Sequence, residues 1–173
     1  MARTDDDIRG WFAGQLPDDW FVSAAEITSD REEIMVVGTL PEPKVDADAS
    51  GETKHAAFSA RIDKFREDTR EARIRIAHEA EHHLGRKVSW GAACGDVRKH
   101  FTTLGVPVMT RLRMPERGVL DTLIESGVAR SRSEALAWCV RLVGKHQSDW
   151  LQELREAMTR VEQVRAEGPD AAA

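Results

Sequence analysis

The sequence has no tyrosine, only two cysteines, and no apolar run near the ~20 residues needed to span a bilayer. A membrane span is therefore not expected, and the acidic start Met1-Ala-Arg-Thr-Asp-Asp-Asp lacks the pattern of a signal peptide. Cys94 and Cys139 lie far apart with no metal-type spacing, so each is read as a buried thiol in a reducing cytosol. No glycine-rich phosphate loop, nucleophile elbow or paired-carboxylate site stands out. The expectation is a protein that is not an enzyme and carries no cofactor. Lysine is scarce beside arginine, which fits a GC-rich coding bias and says nothing of function.

What is present is a chain of 173 residues, 32% of them charged, enough for one domain or two small ones. The net charge of −5 argues against nucleic acid until its distribution is read. Residues 1–84 carry a net −8 and residues 147–173 a net −3, whereas 85–146 hold 11 Lys+Arg against 5 Asp+Glu. Local potential decides where phosphates can sit, and this block is positive.

From the N-terminus, Ile8, Trp11 and Phe12 make a helical stripe over Asp5 to Gln15, ended by Pro17. Trp20 to Ile27 and Glu33 to Leu40 read as strands, the second apolar on both faces and so central; Thr28 to Glu32 joins them. Residues 41–51 read as a loop. Lys54 to Gly85 reads as one long helix, with Phe58, Ile62, Phe65, Thr69, Ala72, Ile76, Ala80 and Leu84 recurring at three- and four-residue steps. Val88 to Cys94 reads as a strand and Asp96 to Thr102 as a helical turn. The fold class expected is α+β, with an N-terminal α-β-β-α-β domain over 1–103, a module over 104–147, and a C-terminal helix and disordered tail over 148–173.

The most informative stretch is Val108 to Pro115. Thr110, Leu112 and Met114 fall on one side of an alternating pattern and Met109, Arg111 and Arg113 on the other, which predicts a half-buried strand that Pro115 stops. A helix from about Arg117 to Ser126 follows, with Leu120, Leu123 and Ile124 inward and Gly127 at its exit. Ser131 and Glu134 have the spacing of a capping box for a second helix, about Arg132 to Lys145, with Ala135, Leu136, Cys139, Val140 and Val143 inward. Some forty residues hold too little core for a monomer, and a lone strand leaves its ladder unpaired. Two copies pairing their strands antiparallel meet both demands.

Leu112-Arg-Met-Pro115, Val119-Leu-Asp121 and Gly127-Val-Ala-Arg-Ser-Arg-Ser-Glu-Ala135 resemble the ribbon–helix–helix DNA-binding superfamily of Arc, MetJ and CopG-type repressors. The resemblance covers residues 107–146. It implies a homodimer on double-stranded DNA, possible higher order on that DNA being left open, with the two-stranded ribbon in the major groove. Met109, Arg111 and Arg113 then face base edges, arginine being shaped for guanine O6 and N7. Ser131, Arg132 and Ser133 open the second helix, where free N–H groups and the dipole favour phosphate. The plain alternative is two surface arginines and a simple cap.

His78-Glu-Ala-Glu-His82 spells the zinc-peptidase string, placing His78 and His82 on one helix face. Glu81 between them, the lack of a third-ligand motif and the charged surroundings favour a solvated face over a metal site, and His55 and His83 add little. The five tryptophans are scattered, and most of them read as core anchors. Trp150, Leu154, Ala157, Val161 and Val164 form a short seam on a helix from Ser148 to Ala166, which either lengthens the dimer contact or packs on its own chain.

The expected function is a cytoplasmic, nucleoid-associated, sequence-specific transcriptional regulator with an acidic N-terminal domain of open role. The alternative is a ligand-binding or protein-interaction module that the ribbon only dimerises; an antitoxin-type repressor also fits the fold.

Overall fold

The computed structural model describes residues 4–46 and 48–167, and the expected disordered tail from Gly168 lies outside them. The described residues form a mixed α+β structure of six helices and one four-stranded sheet. The chain divides into two compact units, Met1–Val108 and Met109–Ala173, where the sequence suggested a boundary near 103.

In the first unit, α1 (Asp5–Gln15) is opened by a reciprocal cap between Thr4 and Asp7 and buries Ile8 and Phe12. Strand β1 (Glu26–Ser29) is shorter than the expected Trp20–Ile27. Residues 20–25 instead leave the ladder, and the Trp20 ring packs edge-on against Phe65 and Trp90, with centroids 5.4 and 6.2 Å away. The turn into β2 (Glu33–Thr39) is held by Asp30, whose carboxylate accepts from the amides of Glu32 and Glu33 at 2.9 and 2.7 Å. Those two bonds hold its pKa below the ordinary carboxyl value.

The expected long helix is two: α2 (Gly51–Asp68) and α3 (Arg70–Leu84), broken at Thr69. The Thr69 hydroxyl donates to the Phe65 carbonyl at 2.6 Å, a back-bond that bends helices. Arg73, only 6% exposed, folds back to donate to Thr69 Oγ1 (3.0 Å) and to the Arg66 carbonyl (2.6 Å). A side chain inserted into the ladder is an ordinary cause of a kink. Because the break does not lose the helical phase, Ile62, Phe65, Ile76 and Ala80 still face inward.

β3 (Lys87–Cys94) returns parallel to β2, pairing Ile34 with Val88 and Val36 with Trp90. The expected helical turn after it is wrong: β4 (Val97–His100) pairs antiparallel with β3. The loop Gly95-Asp96 has two residues, and φ +55° at Gly95 is the left-handed conformation that a hairpin needs at its first position. Sheet order is β1-β2-β3-β4. Ile34, Val36, Trp90, Ala92 and Cys94 line one face, where helix residues Ile8, Phe12, Ile62, Ile76 and Ala80 cover them. On β4, Arg98 reaches Glu26 on β1 at 2.8 Å and joins the outer strands.

The second unit contains α4 (Met114–Glu125), α5 (Arg132–His146) and α6 (Ser148–Glu167). Its small core is Leu120, Ala129 and Ala135, with Leu112, Leu123, Leu136 and Cys139 partly buried around them.

Phe12 is fully buried and meets Trp11 and Trp90 edge-on, so it docks α1 on the sheet. Phe12→Ala should cost about 3–5 kcal/mol in urea unfolding followed by tryptophan fluorescence. A loss under 1 kcal/mol would mean α1 is not part of the cooperative unit.

Candidate nucleic-acid interface

Residues 108–113 form no strand in the single chain, against expectation. A strand exists only with a partner, and among the described residues the backbone groups of 105–111 have no hydrogen-bond partner. The inward–outward alternation survives in part. Leu112 packs on the Leu120–Ala135 core, Arg111 and Arg113 are exposed, and Met109 is 94% exposed. Met114, assigned to the inner side, is instead exposed and begins α4 three residues before the expected start. Pro115 falls in the first helical turn, where a missing N–H costs nothing, so it starts the helix as much as it ends the ribbon.

The connection to α5 is closed by two bonds: the Gly127 amide donates to the Ile124 carbonyl and the Val128 amide to the Leu123 carbonyl, both 3.0 Å. This is a Schellman ending, and φ +77° at Gly127 is the conformation it requires. Ser131 caps α5, accepting from the Glu134 amide at 3.2 Å. The return half of the box is displaced by one residue. The Glu134 carboxylate accepts from the amide of Arg130 (2.8 Å) rather than from that of Ser131, and its pKa is lowered by this bond first.

Ser131, Arg132 and Ser133 are all exposed at the helix start. The Arg132 side chain is nevertheless committed elsewhere. Its Nε and Nη2 each donate to the Asp121 carboxylate of α4 at 2.8 Å, a two-point clamp between the helices. The expected phosphate contact from Arg132 would therefore compete with, or share the guanidinium with, the Asp121 carboxylate. Arg130, not singled out from the sequence, stands 93% exposed beside the cap, held only by Glu134 at 3.4 Å. No local spacing rule links Asp121 to Arg132, since they lie eleven residues apart on different helices.

Val140 and Val143, expected inward on α5, are exposed, as are Val119 on α4 and Trp150 on α6. Among the described residues, Leu120, Ala129 and Ala135 are the buried hydrophobics of this unit, and much apolar surface around them stays open.

His78 and His82 are exposed on α3, away from its buried Arg73–Ile76–Ala80 face. Among the described residues no three His, Cys, Asp or Glu side chains gather as metal ligands. Glu81 pairs with Lys87, His55 lies 3.8 Å from Asp96, and His83 stacks on Trp11. None of these described helices is long and apolar enough to cross a membrane.

Residues 6–100 match the domain family described as Rv1265-like protein, N-terminal domain, and residues 113–165 match the Mb1296 C-terminal domain. The chain is similar to the uncharacterized proteins Mb1296 of Mycobacterium bovis and Rv1265 of Mycobacterium tuberculosis. It is 53% identical to each over 160 residues, 92% of this chain and 69% of the relative. No solved structure matches.

Two outcomes follow from this geometry. The Asp121 carboxyl is held below its ordinary pKa, first by the hydrogen bond from Arg132. A depressed carboxyl contributes stability that is present above its unfolded value, about 3.9, and lost as pH falls through the folded one. Asp121→Asn should therefore lower the melting temperature at pH 7 more than at pH 3, and an equal loss at both would exclude the clamp. His78→Ala with His82→Ala should leave unfolding free energy within about 0.5 kcal/mol. A stoichiometric metal lost by that double variant would contradict the solvated reading.

Proposed function

This chain belongs to the Rv1265-like family, and for it we propose a homodimeric, sequence-specific DNA-binding regulator of ribbon–helix–helix type. The observation that carries the reading is the exposed, unpaired segment 105–111 running into Arg111 and Arg113, directly before a capped helix pair. A second copy would supply the missing ladder partners and cover Met114, Val119, Val140 and Val143. The antiparallel ribbon so formed has the width of a major-groove reader.

In this reading Arg111 and Arg113 address base edges, with Met109 beside them. The backbone N–H groups at the start of α5, with the Ser131 and Ser133 hydroxyls, address phosphate. By clamping Asp121, Arg132 fixes the angle at which α5 presents its N-terminus, and it cancels a carboxylate that would repel DNA. Arg130, 93% exposed and paired loosely with Glu134 at 3.4 Å, adds a second guanidinium at that end. The net negative charge of the first unit gives it no electrostatic attraction to DNA.

The test uses the full chain and the DNA fragments it retains from its own genome. Affinity should fall steeply as salt rises, by nearly one logarithmic unit per tenfold salt for each phosphate neutralised. Arg113→Ala should shrink the gap between retained and scrambled duplexes by about 1–3 kcal/mol per half-site. Loss of affinity for both duplexes alike would leave a non-specific binder. No duplex binding at low salt would leave the ribbon as a dimerisation device.

A further inference from the structure

Helix α6 presents Trp150, Leu154, Ala157, Val161 and Val164 at steps of four, three, four and three, the period of a two-helix seam. Among the described residues nothing buries this stripe. Trp150, Leu154, Val161 and Val164 are exposed and Ala157 half-buried. A surface hollow of about 360 Å³ lies along it, lined by Trp150, Glu153, Leu154, Glu156, Ala157 and Arg160. The seam's two flanks differ: Leu151 and Met158 lie on one side, Glu153 and Arg160 on the other.

That asymmetry decides orientation. In a parallel pair each flank meets the opposite flank of the partner, so Arg160 would face the partner's Arg165 and Glu153 the partner's Met158. In an antiparallel pair like flanks meet. Glu153 then faces the partner's Arg160, Arg160 faces the partner's Glu153, and Leu151 lies beside the partner's Met158. The same register sets Leu154 opposite the partner's Ala157 and Trp150 opposite the partner's Val161, large against small as good packing asks. We propose that α6 pairs antiparallel with α6 of a second copy of this chain, through the Trp150–Val164 seam and two Glu153–Arg160 ion pairs. The pairing uses residues outside 107–146 and stands apart from DNA binding.

Charge exchange in the full chain tests it. By sedimentation over a wide concentration range without DNA, Glu153→Arg and Arg160→Glu should each weaken self-association about three- to thirtyfold, because each creates two like-charge contacts. The double exchange should restore it, and the losses should shrink at about 1 M salt. Helicity by circular dichroism is the control for folding. Where the contact lies inside a dimer already closed by other residues, sedimentation does not see it. A mixture of Glu153→Cys and Arg160→Cys chains, both in a Cys94→Ala/Cys139→Ala background, is therefore treated with a short bismaleimide. Cross-linking in the mixture but in neither variant alone is expected. Tighter association of Arg160→Glu with Glu153→Arg unchanged would establish the parallel pair and overturn the proposal. Unchanged association in all three exchanges, with no cross-link in the mixture, would also overturn it, since the stripe would then face something other than a second α6.

Discussion

Parallel strands cannot be joined by a tight turn, so pairing Glu33–Thr39 with Lys87–Cys94 obliges the chain to leave the sheet and cross back over it. That obligation shapes the first unit. The crossover is α2 and α3, whose inner residues Ile62, Ile76 and Ala80 close the face of the sheet they pass over. β2 and β3 each gain ladder partners on both sides, which lets β2 carry apolar residues at successive positions. The break at Thr69 belongs to the same constraint. Arg73 donates to the Arg66 carbonyl at the kink, so a bent crossover does not leave that acceptor unpaired, and its guanidinium lies 4.9 Å from the Phe101 ring.

The second unit meets the opposite situation. The connection from α4 to α5 is well closed, with the Schellman turn at Gly127, the Ser131 cap and the Arg132–Asp121 clamp. What its helices lack is enough to bury. Leu120, Ala129 and Ala135 form the buried core, while valines, methionines and a tryptophan remain in solvent. The unpaired backbone before α4 adds a polar demand to that open apolar surface. The functional reading and the α6 pairing both rest on this shortfall, at different surfaces.

Helices were the more legible elements. Ile8–Trp11–Phe12, the Phe58–Leu84 series and the Ser131 cap report local periods and local bonds, which neighbouring residues in the chain determine. The errors have two causes, contacts between distant residues and an element too short to show a period. Trp20–Ala25 has strand composition but is drawn out of the ladder by the Trp20 ring packing on Phe65 and Trp90, a contact across the unit. Val97–His100 was misjudged although Gly95-Asp96 is a hairpin dipeptide, because four residues are too few to show a period. The Arg132–Asp121 pair is not legible locally because its two members lie on different helices.

Sequence by itself determined the acidic first part, the positive block over 85–146, the alternation that turns Leu112 inward and Arg111 and Arg113 outward, and the position of the α5 cap. Each depends on composition or on residues within one turn or one pleat of each other. Tertiary structure alone decided the parallel β2–β3 pairing, the bend at Thr69, the commitment of Arg132 to Asp121, and which apolar residues of α5 and α6 stay uncovered. Those depend on contacts between residues distant in the chain, where geometry rather than local pattern chooses the partner.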